Sequence, residues 1–85
     1  MTPLVLVHGF LGGSAQWSDL SARLADQVET IAVDLPGFGA NAHLAAPDRI
    51  EGFARWVRDE LRAKGINRYH LLGHSMGGMV AQALA

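Results

Sequence analysis

The feature that most constrains the fold of this chain is its first strand-like segment, Leu4 to His8, whose first four residues are all apolar. A strand with one solvated face alternates apolar and polar residues, whereas a parallel strand covered on both faces is apolar throughout. Two similar segments follow at roughly 30–34 and 69–73, and helical patterns lie between them. This alternation predicts an α/β fold with the element order βαβαβα.

Two helical segments, roughly 14–26 and 48–64, separate the predicted strands, and a third begins at Met76. Ser14 is available as the N-cap of the first segment, and Gly65 follows the second as a C-terminal stop. Because crossovers between parallel strands are right-handed, helices on opposite faces require the first strand to be central. We therefore expect a three-layer α/β sandwich, in which a parallel sheet of three strands in the order 2-1-3 carries helices on both faces.

The composition excludes several classes of function. The formal net charge is -1, and acidic and basic residues are interspersed, so electrostatics favour neither nucleic acid nor an anionic membrane as a partner. The absence of cysteine excludes disulfides, thiolate metal sites and a cysteine nucleophile. The apolar run at the start is too short for a signal peptide or a membrane span, and we expect a cytoplasmic protein.

A sharp turn is predicted where the third strand meets the third helix, at Gly73-His74-Ser75-Met76-Gly77. A serine at such a turn takes a positive φ, at a cost of about 1–3 kcal/mol, and its hydroxyl is lifted clear of the sheet. The flanking glycines avoid collisions, and Gly78 lets the helix approach the sheet closely. The helix N-terminus favours an anion beside the serine. We interpret Ser75 as a nucleophile and the Met76 N–H as an oxyanion donor.

A second glycine-rich loop, residues 8–13, follows the first strand. The two loops flank the crevice that opens at the carboxyl ends of the strands where strand order reverses. The Phe10 N–H can supply a second oxyanion donor there, and we expect Phe10, Leu11 and His74 to bind substrate. The rival interpretation is a phosphate loop with Asp34 on a ribose hydroxyl. The sequence contains neither Gly-x-Gly-x-x-Gly nor Gly-Lys-Ser/Thr, and Asp34 is more typical of a turn.

The glycine-rich motifs, in their order and spacing, resemble the first half of the α/β-hydrolase-fold superfamily. The resemblance covers essentially the whole chain and is closest to the cofactor-free esterase, enol-lactonase and haloperoxidase-like branch. It rests on three stretches: Val7-His8-Gly9-Phe10, Asp34-Leu35-Pro36-Gly37-Phe38-Gly39 and Gly73-His74-Ser75-Met76-Gly77-Gly78. It implies that Ser75 is the nucleophile, that the Phe10 and Met76 N–H groups form the oxyanion hole, and that no metal or organic cofactor is needed. One departure is Asn41, where the family usually has serine.

The resemblance also bears on what lies beyond these residues. In that family the catalytic acid and histidine follow the serine turn, called the nucleophile elbow and here residues 73–77, in chain order. We therefore expect residues 1–85 to be the N-terminal part of a single domain, truncated after the elbow. The histidines present are poor candidates for the base. His8 is expected to order its loop, His70 lies in a strand, His43 in a loop, and strand alternation turns His74 away from Ser75.

Three hypotheses follow. The first is a serine hydrolase of small carboxylic esters or lactones that forms an acyl-enzyme at Ser75. The second is a cofactor-free carbon–carbon lyase of the menaquinone-pathway type, a branch in which arginine often occupies the place of Met79. The third is that the 85 residues alone are a catalytically silent fragment or binding module, whose open sheet edges permit self-association.

Overall fold

The computed structural model describes residues 2–85 and confirms the predicted order of strands and helices. The elements are β1 (Leu4–Val7), a 3₁₀ turn (Ser14–Trp17), α1 (Ser18–Leu24), β2 (Thr30–Val33), a second 3₁₀ turn (Gly39–Asn41), α2 (Ile50–Ala63), β3 (His70–Gly73) and α3 (Met76–Leu84). Each strand ends within one residue of its predicted boundary.

The three strands form one parallel sheet in the order β2-β1-β3, which confirms the predicted topology. The register aligns their ends, because Val7 of β1 pairs with Val33 of β2 and with Gly73 of β3. The loops that follow the three strands therefore emerge together at one edge of the sheet. This is the position at which open α/β sheets bind ligands.

The main hydrophobic core lies between one face of the sheet and helices α2 and α3. Val5 and Val7 point to this face, since alternate residues of a strand share a face. On α2 the buried side chains recur at three- and four-residue spacing, as expected for a helix with one apolar face. They are Phe53, Ala54, Val57 and Leu61. Val80 of α3 is fully buried in the same cluster, so the elbow helix is held firmly against the sheet.

Helix α2 ends in a Schellman motif. Gly65 has a φ of 76°, and its N–H donates to the Arg62 carbonyl at 3.0 Å. The Ile66 N–H donates to the Leu61 carbonyl at 2.8 Å, and the Ile66 side chain packs against the core. The predicted stop at Gly65 is confirmed.

On the opposite face of the sheet, the first 3₁₀ turn contacts β1 and β2, and α1 continues from that turn. Leu6 points to this face and is fully buried, but α1 itself contributes no buried residue. The prediction of one helix over 14–26 with Ser14 as its N-cap was wrong. The cap position is taken by Gly13, and the Ser14 N–H donates at 2.7 Å to the Asp34 carboxylate. A residue distant in sequence thus caps this turn, which local sequence patterns do not reveal.

Candidate functional site

Ser75 lies between the last residue of β3 and the first residue of α3, and its backbone is strained. Its φ is 58° and its ψ is -120°, which confirms the predicted positive φ. Such a conformation costs a residue with a side chain on the order of 1–3 kcal/mol. The side chain is exposed. The elbow (residues 73–77) therefore presents the serine hydroxyl to solvent at the carboxyl edge of the sheet.

Two glycines permit this turn because no side chain fits at their positions. A Cβ on Gly73 would overlap the Gly77 carbonyl, and a Cβ on Gly77 would overlap the backbone carbonyls of Val7 and His8. A Cβ on Gly78 would make only an ordinary contact, 3.7 Å from the Gly73 oxygen. The expectation that Gly78 allows the close approach of α3 was therefore wrong, since Gly77 is the residue in contact with β1.

Hydrogen bonds join the elbow to β1, and the Met76 N–H takes no part in them. The His74 N–H donates to the Val7 carbonyl at 3.0 Å, and the Gly77 N–H donates to the His74 carbonyl at 2.9 Å. Met76 is the first residue of α3, so its N–H has no partner within the helix. No backbone carbonyl within residues 2–85 accepts a hydrogen bond from it.

The loop after β1 (residues 8–13, the β1–α1 loop) lies directly against the elbow. A Cβ on Gly9 would be 3.1 Å from the Ser75 Cβ and 3.0 Å from the His74 oxygen. Glycine is therefore required here for space. The next amide belongs to Phe10, and its N–H has no backbone acceptor in the described part of the chain. The Phe10 and Met76 backbones thus lie at the same edge of the sheet as Ser75, where the strands end.

Phe10 and Leu11 form the exposed tip of this loop. The two residues are 68% and 82% exposed, and the Phe10 and Phe38 rings pack edge to face with their centroids 5.7 Å apart. The Gly12 N–H donates to the Gly9 carbonyl at 3.0 Å and closes a turn in which Leu11 has a φ of 64°. Sequence reasoning did not predict this strained leucine, because a positive φ in this turn would ordinarily favour glycine.

His8 is fully buried and orders the β1–α1 loop, as predicted. Its Nδ1 donates to the Gly9 carbonyl at 2.8 Å, and its Nε2 accepts the Leu35 N–H at 3.0 Å. The His8 and Phe38 rings also pack edge to face, with their centroids 5.5 Å apart. Both ring nitrogens are therefore engaged within the protein, and His8 has no free nitrogen to act as a base.

The other three histidines are exposed and do not form a dyad with the serine. The His74 ring packs on Gly9, where a Cβ would be 3.2 Å from Nδ1. His70 begins β3 and so lies at the opposite end of that strand from the elbow. Across residues 2–85, no hydrogen bond joins the Ser75 hydroxyl to His43, His70 or His74.

Asp34 holds two loops together instead of facing a ligand. Ser14 donates to its carboxylate through the N–H at 2.7 Å and through Oγ at 2.8 Å, and the Ala40 N–H also donates to it. Burial alone would raise the pKa of Asp34, but these hydrogen bonds outweigh burial and lower it. The Asn41 side chain donates to the Asp34 carbonyl at 2.7 Å, which explains how asparagine serves in this turn.

Neither a cluster of metal ligands nor a membrane-spanning helix is found among the described residues. Within residues 2–85, no three histidine or carboxylate side chains are grouped as metal ligands. Every helix in that range falls short of the length and hydropathy needed to cross a membrane.

Known proteins resemble this chain over nearly its full length. Residues 2–85 match the family model for the α/β hydrolase fold. A pimeloyl-[acyl-carrier protein] methyl ester esterase of Aeromonas hydrophila is 42% identical, with 96% of this chain and 31% of the esterase covered. A 2-succinyl-6-hydroxy-2,4-cyclohexadiene-1-carboxylate synthase of an Enterobacter species is 37% identical, with 92% and 30% covered.

The solved structure of a thioesterase contains the same fold over nearly all of this chain. RedJ, a thioesterase from the prodiginine biosynthetic pathway of Streptomyces coelicolor, superposes with a TM-score of 0.89 at 32% identity, covering 99% of this chain and 32% of that one. The chain spans between 23% and 31% of the length of the curated relatives compared. The match of the family model, the strand order and the strained serine turn agree, and the chain belongs to the α/β-hydrolase fold family.

Proposed function

We propose that this chain is the nucleophile-bearing N-terminal part of a serine hydrolase that cleaves small carboxylic esters or lactones. The observation that carries the proposal is the elbow, where a strained, exposed Ser75 lies beside the backbone of Gly9. Strain of this kind persists in proteins mainly where function requires it. The esterase relative and the thioesterase neighbour support a hydrolase, and they extend the substrates to be tested to thioesters.

In the proposed reaction the Ser75 Oγ attacks the substrate carbonyl carbon while a base removes the hydroxyl proton. The carbonyl oxygen becomes an oxyanion that accepts hydrogen bonds from the Phe10 and Met76 N–H groups. The base then passes the proton to the departing alkoxide, and the acyl group remains on Ser75. A water molecule attacks this ester by the same route, releasing the carboxylic acid and restoring the serine.

The base and the acid that orients it are proposed to lie outside these 85 residues. His8 is occupied by two hydrogen bonds. Among residues 2–85, no other histidine is hydrogen-bonded to the Ser75 hydroxyl. The relatives are more than three times as long as the aligned segment, so they have room for later catalytic residues. The reaction as written uses only protein groups and water. The expected partner is the small-molecule substrate.

Ester turnover in the full-length protein tests this function. A panel of p-nitrophenyl esters, lactones and acyl thioesters should show hydrolysis that Ser75→Ala reduces by about 10⁴-fold or more. The matched control is Ser18→Ala, which removes the hydroxyl of another exposed serine, on α1. Hydrolysis that survives Ser75→Ala, or a full-length folded protein inert on every member of the panel, would contradict the proposal.

A carbon–carbon lyase remains the second candidate, because one relative is a synthase that forms 2-succinyl-6-hydroxy-2,4-cyclohexadiene-1-carboxylate. The fold supports both kinds of chemistry. The discriminating experiment presents the full-length protein with the ester panel and, separately, with a substrate that eliminates pyruvate. Release of pyruvate without ester hydrolysis would favour the lyase.

A further inference from the structure

We propose that His8 is a positioning residue, which orients the Phe10 N–H toward the oxyanion by fixing the peptide group that carries it. This inference rests on the proposed function. It assigns His8 a role distinct from the bond-making groups, because its ring is fully buried and does not reach the substrate side of the loop.

The first step concerns a single peptide unit. The Gly9 carbonyl and the Phe10 N–H belong to one planar trans peptide, so the two groups point in opposite directions. Two donors converge on the carbonyl: the His8 Nδ1 at 2.8 Å and the Gly12 N–H at 3.0 Å. Rotation of this peptide would break both hydrogen bonds. Fixing the oxygen therefore also fixes the direction of the N–H on the other side.

The second step concerns how His8 is itself held. Its Nε2 accepts the Leu35 N–H at 3.0 Å, and a backbone N–H can only donate. Nε2 must therefore carry no proton, and the single ring proton of the neutral imidazole lies on Nδ1, where it can donate to Gly9. The loop after β2 thus selects the tautomer that holds the Gly9 peptide.

The third step distinguishes the hydrogen bonds of His8 from those between Ser14 and Asp34, which also join the loops after β1 and β2. Asp34 accepts two hydrogen bonds from Ser14, at the far end of the β1–α1 loop. That contact stabilises the loop but does not touch the peptide between Gly9 and Phe10. A variant at Ser14 therefore weakens the loop without removing the proposed orientation of the donor, and it is the natural control.

The test uses two substitutions in the full-length protein. Each one can replace one of the two hydrogen bonds that the His8 ring makes. His8→Asn places an amide donor near the Gly9 carbonyl, whereas His8→Gln reaches Leu35 but lacks the donor to Gly9. We expect His8→Gln to lower kcat by about 100-fold with KM changed less than about threefold, the effect of a misplaced catalytic group. We expect His8→Asn to retain kcat within about tenfold, and Ser14→Ala to leave it nearly unchanged.

Circular dichroism and thermal melting establish that each variant is folded. Equal kcat in folded His8→Asn and His8→Gln, or a loss confined to KM, would overturn the inference. Nitrogen-15 NMR of the unsubstituted protein provides a test that requires no variant: His8 should be neutral with its proton on Nδ1, and a proton on Nε2 would overturn the inference. If Ser75→Ala keeps full turnover, the proposed function fails; if it is inactive while His8→Gln is unaffected, only the role of His8 fails.

Discussion

Two residues with a strained backbone conformation lie at or beside the proposed site. Within the described residues, the non-glycine positions with positive φ are Leu11 and Ser75, at 64° and 58°. They lie on the β1–α1 loop and at the elbow, the two segments that meet at Gly9. Positive φ costs an L-residue on the order of 1–2 kcal/mol, and the surrounding structure has to offset that cost.

The strain at Ser75 can be measured by comparing two substitutions that both remove the hydroxyl. We expect Ser75→Gly to have a free energy of unfolding about 1 kcal/mol higher than Ser75→Ala, because glycine adopts this conformation without steric cost. Urea denaturation of the two variants measures the difference. Equal stability, or a more stable alanine variant, would contradict strain at this position.

Asp34 should make stability depend on pH in the acid range. Its folded-state pKa is below the ordinary value of 3.8, so its contribution is present above that value and is lost as pH falls through the folded pKa. At about pH 7, Asp34→Asn should lower the free energy of unfolding by about 1–2 kcal/mol, because one of the Ser14 donors loses its acceptor. Denaturation at a series of pH values measures how the free energy of unfolding falls below about pH 4. This fall should be smaller in Asp34→Asn than in the unsubstituted protein.

Some residues of the site follow from sequence and others do not. The Ser75 turn is predictable because strand, serine and glycines are adjacent in the chain. The bonds of His8 to Leu35 and of Asp34 to Ser14 connect residues 27 and 20 positions apart. No local pattern predicts such bonds, since they depend on which strands become neighbours. The strain at Leu11 is equally hidden, because its side chain offers no turn signal.

At the scale of elements, the contact between α3 and β1 determines where the elbow lies. Gly77 of α3 approaches the Val7 and His8 carbonyls so closely that it has no space for a Cβ, whereas Gly78 has ordinary room. Two adjacent glycines of one helix are therefore predicted to respond in opposite ways to the same substitution.

Gly77→Ala should lower the free energy of unfolding by about 3 kcal/mol, because backbone carbonyls cannot move aside as flexible side chains do. Gly78→Ala should be neutral or stabilising by up to about 1 kcal/mol, because alanine is the better helix former. Chemical denaturation of the two variants provides the comparison. Similar destabilisation by both would show that α3 is positioned in some other way.

The strands were easier to predict than the first helix. Their mainly apolar runs end at glycine- or proline-containing loops, and each predicted boundary lies within one residue of the observed one. The segment from Ser14 divides into a 3₁₀ turn and a seven-residue α1. The division depends on Asp34, which caps the turn from another loop, so a local reading of helical spacing could not predict it.

At the scale of the whole molecule, the sheet has two open edges. Within residues 2–85, β2 and β3 each pair only with β1. Leu72 on β3 points away from the main core and is 41% exposed. Unpaired edges with apolar side chains favour association between chains. The 85 residues alone therefore present a sheet that further strands could extend.

We expect the 85-residue chain on its own to lack ester turnover and to self-associate through these edges. Leu72→Lys should reduce the association, because a charge on an edge strand opposes pairing. Leu44→Lys replaces another exposed leucine, in a loop, and should have little effect. Sedimentation velocity over a range of concentrations distinguishes these outcomes. A monomer at every concentration, or equal effects of the two lysines, would contradict association through the edge of β3.

The most direct measurement is the reaction of the full-length protein with a fluorophosphonate, which captures a serine only when it is activated and its oxyanion is stabilised. Mass spectrometry of the digested protein should find the adduct on Ser75, and Ser75→Ala should abolish labelling while Ser18→Ala retains it. A folded full-length protein that remains unlabelled, or that carries the adduct on a different serine, would contradict the assignment of Ser75 as the nucleophile.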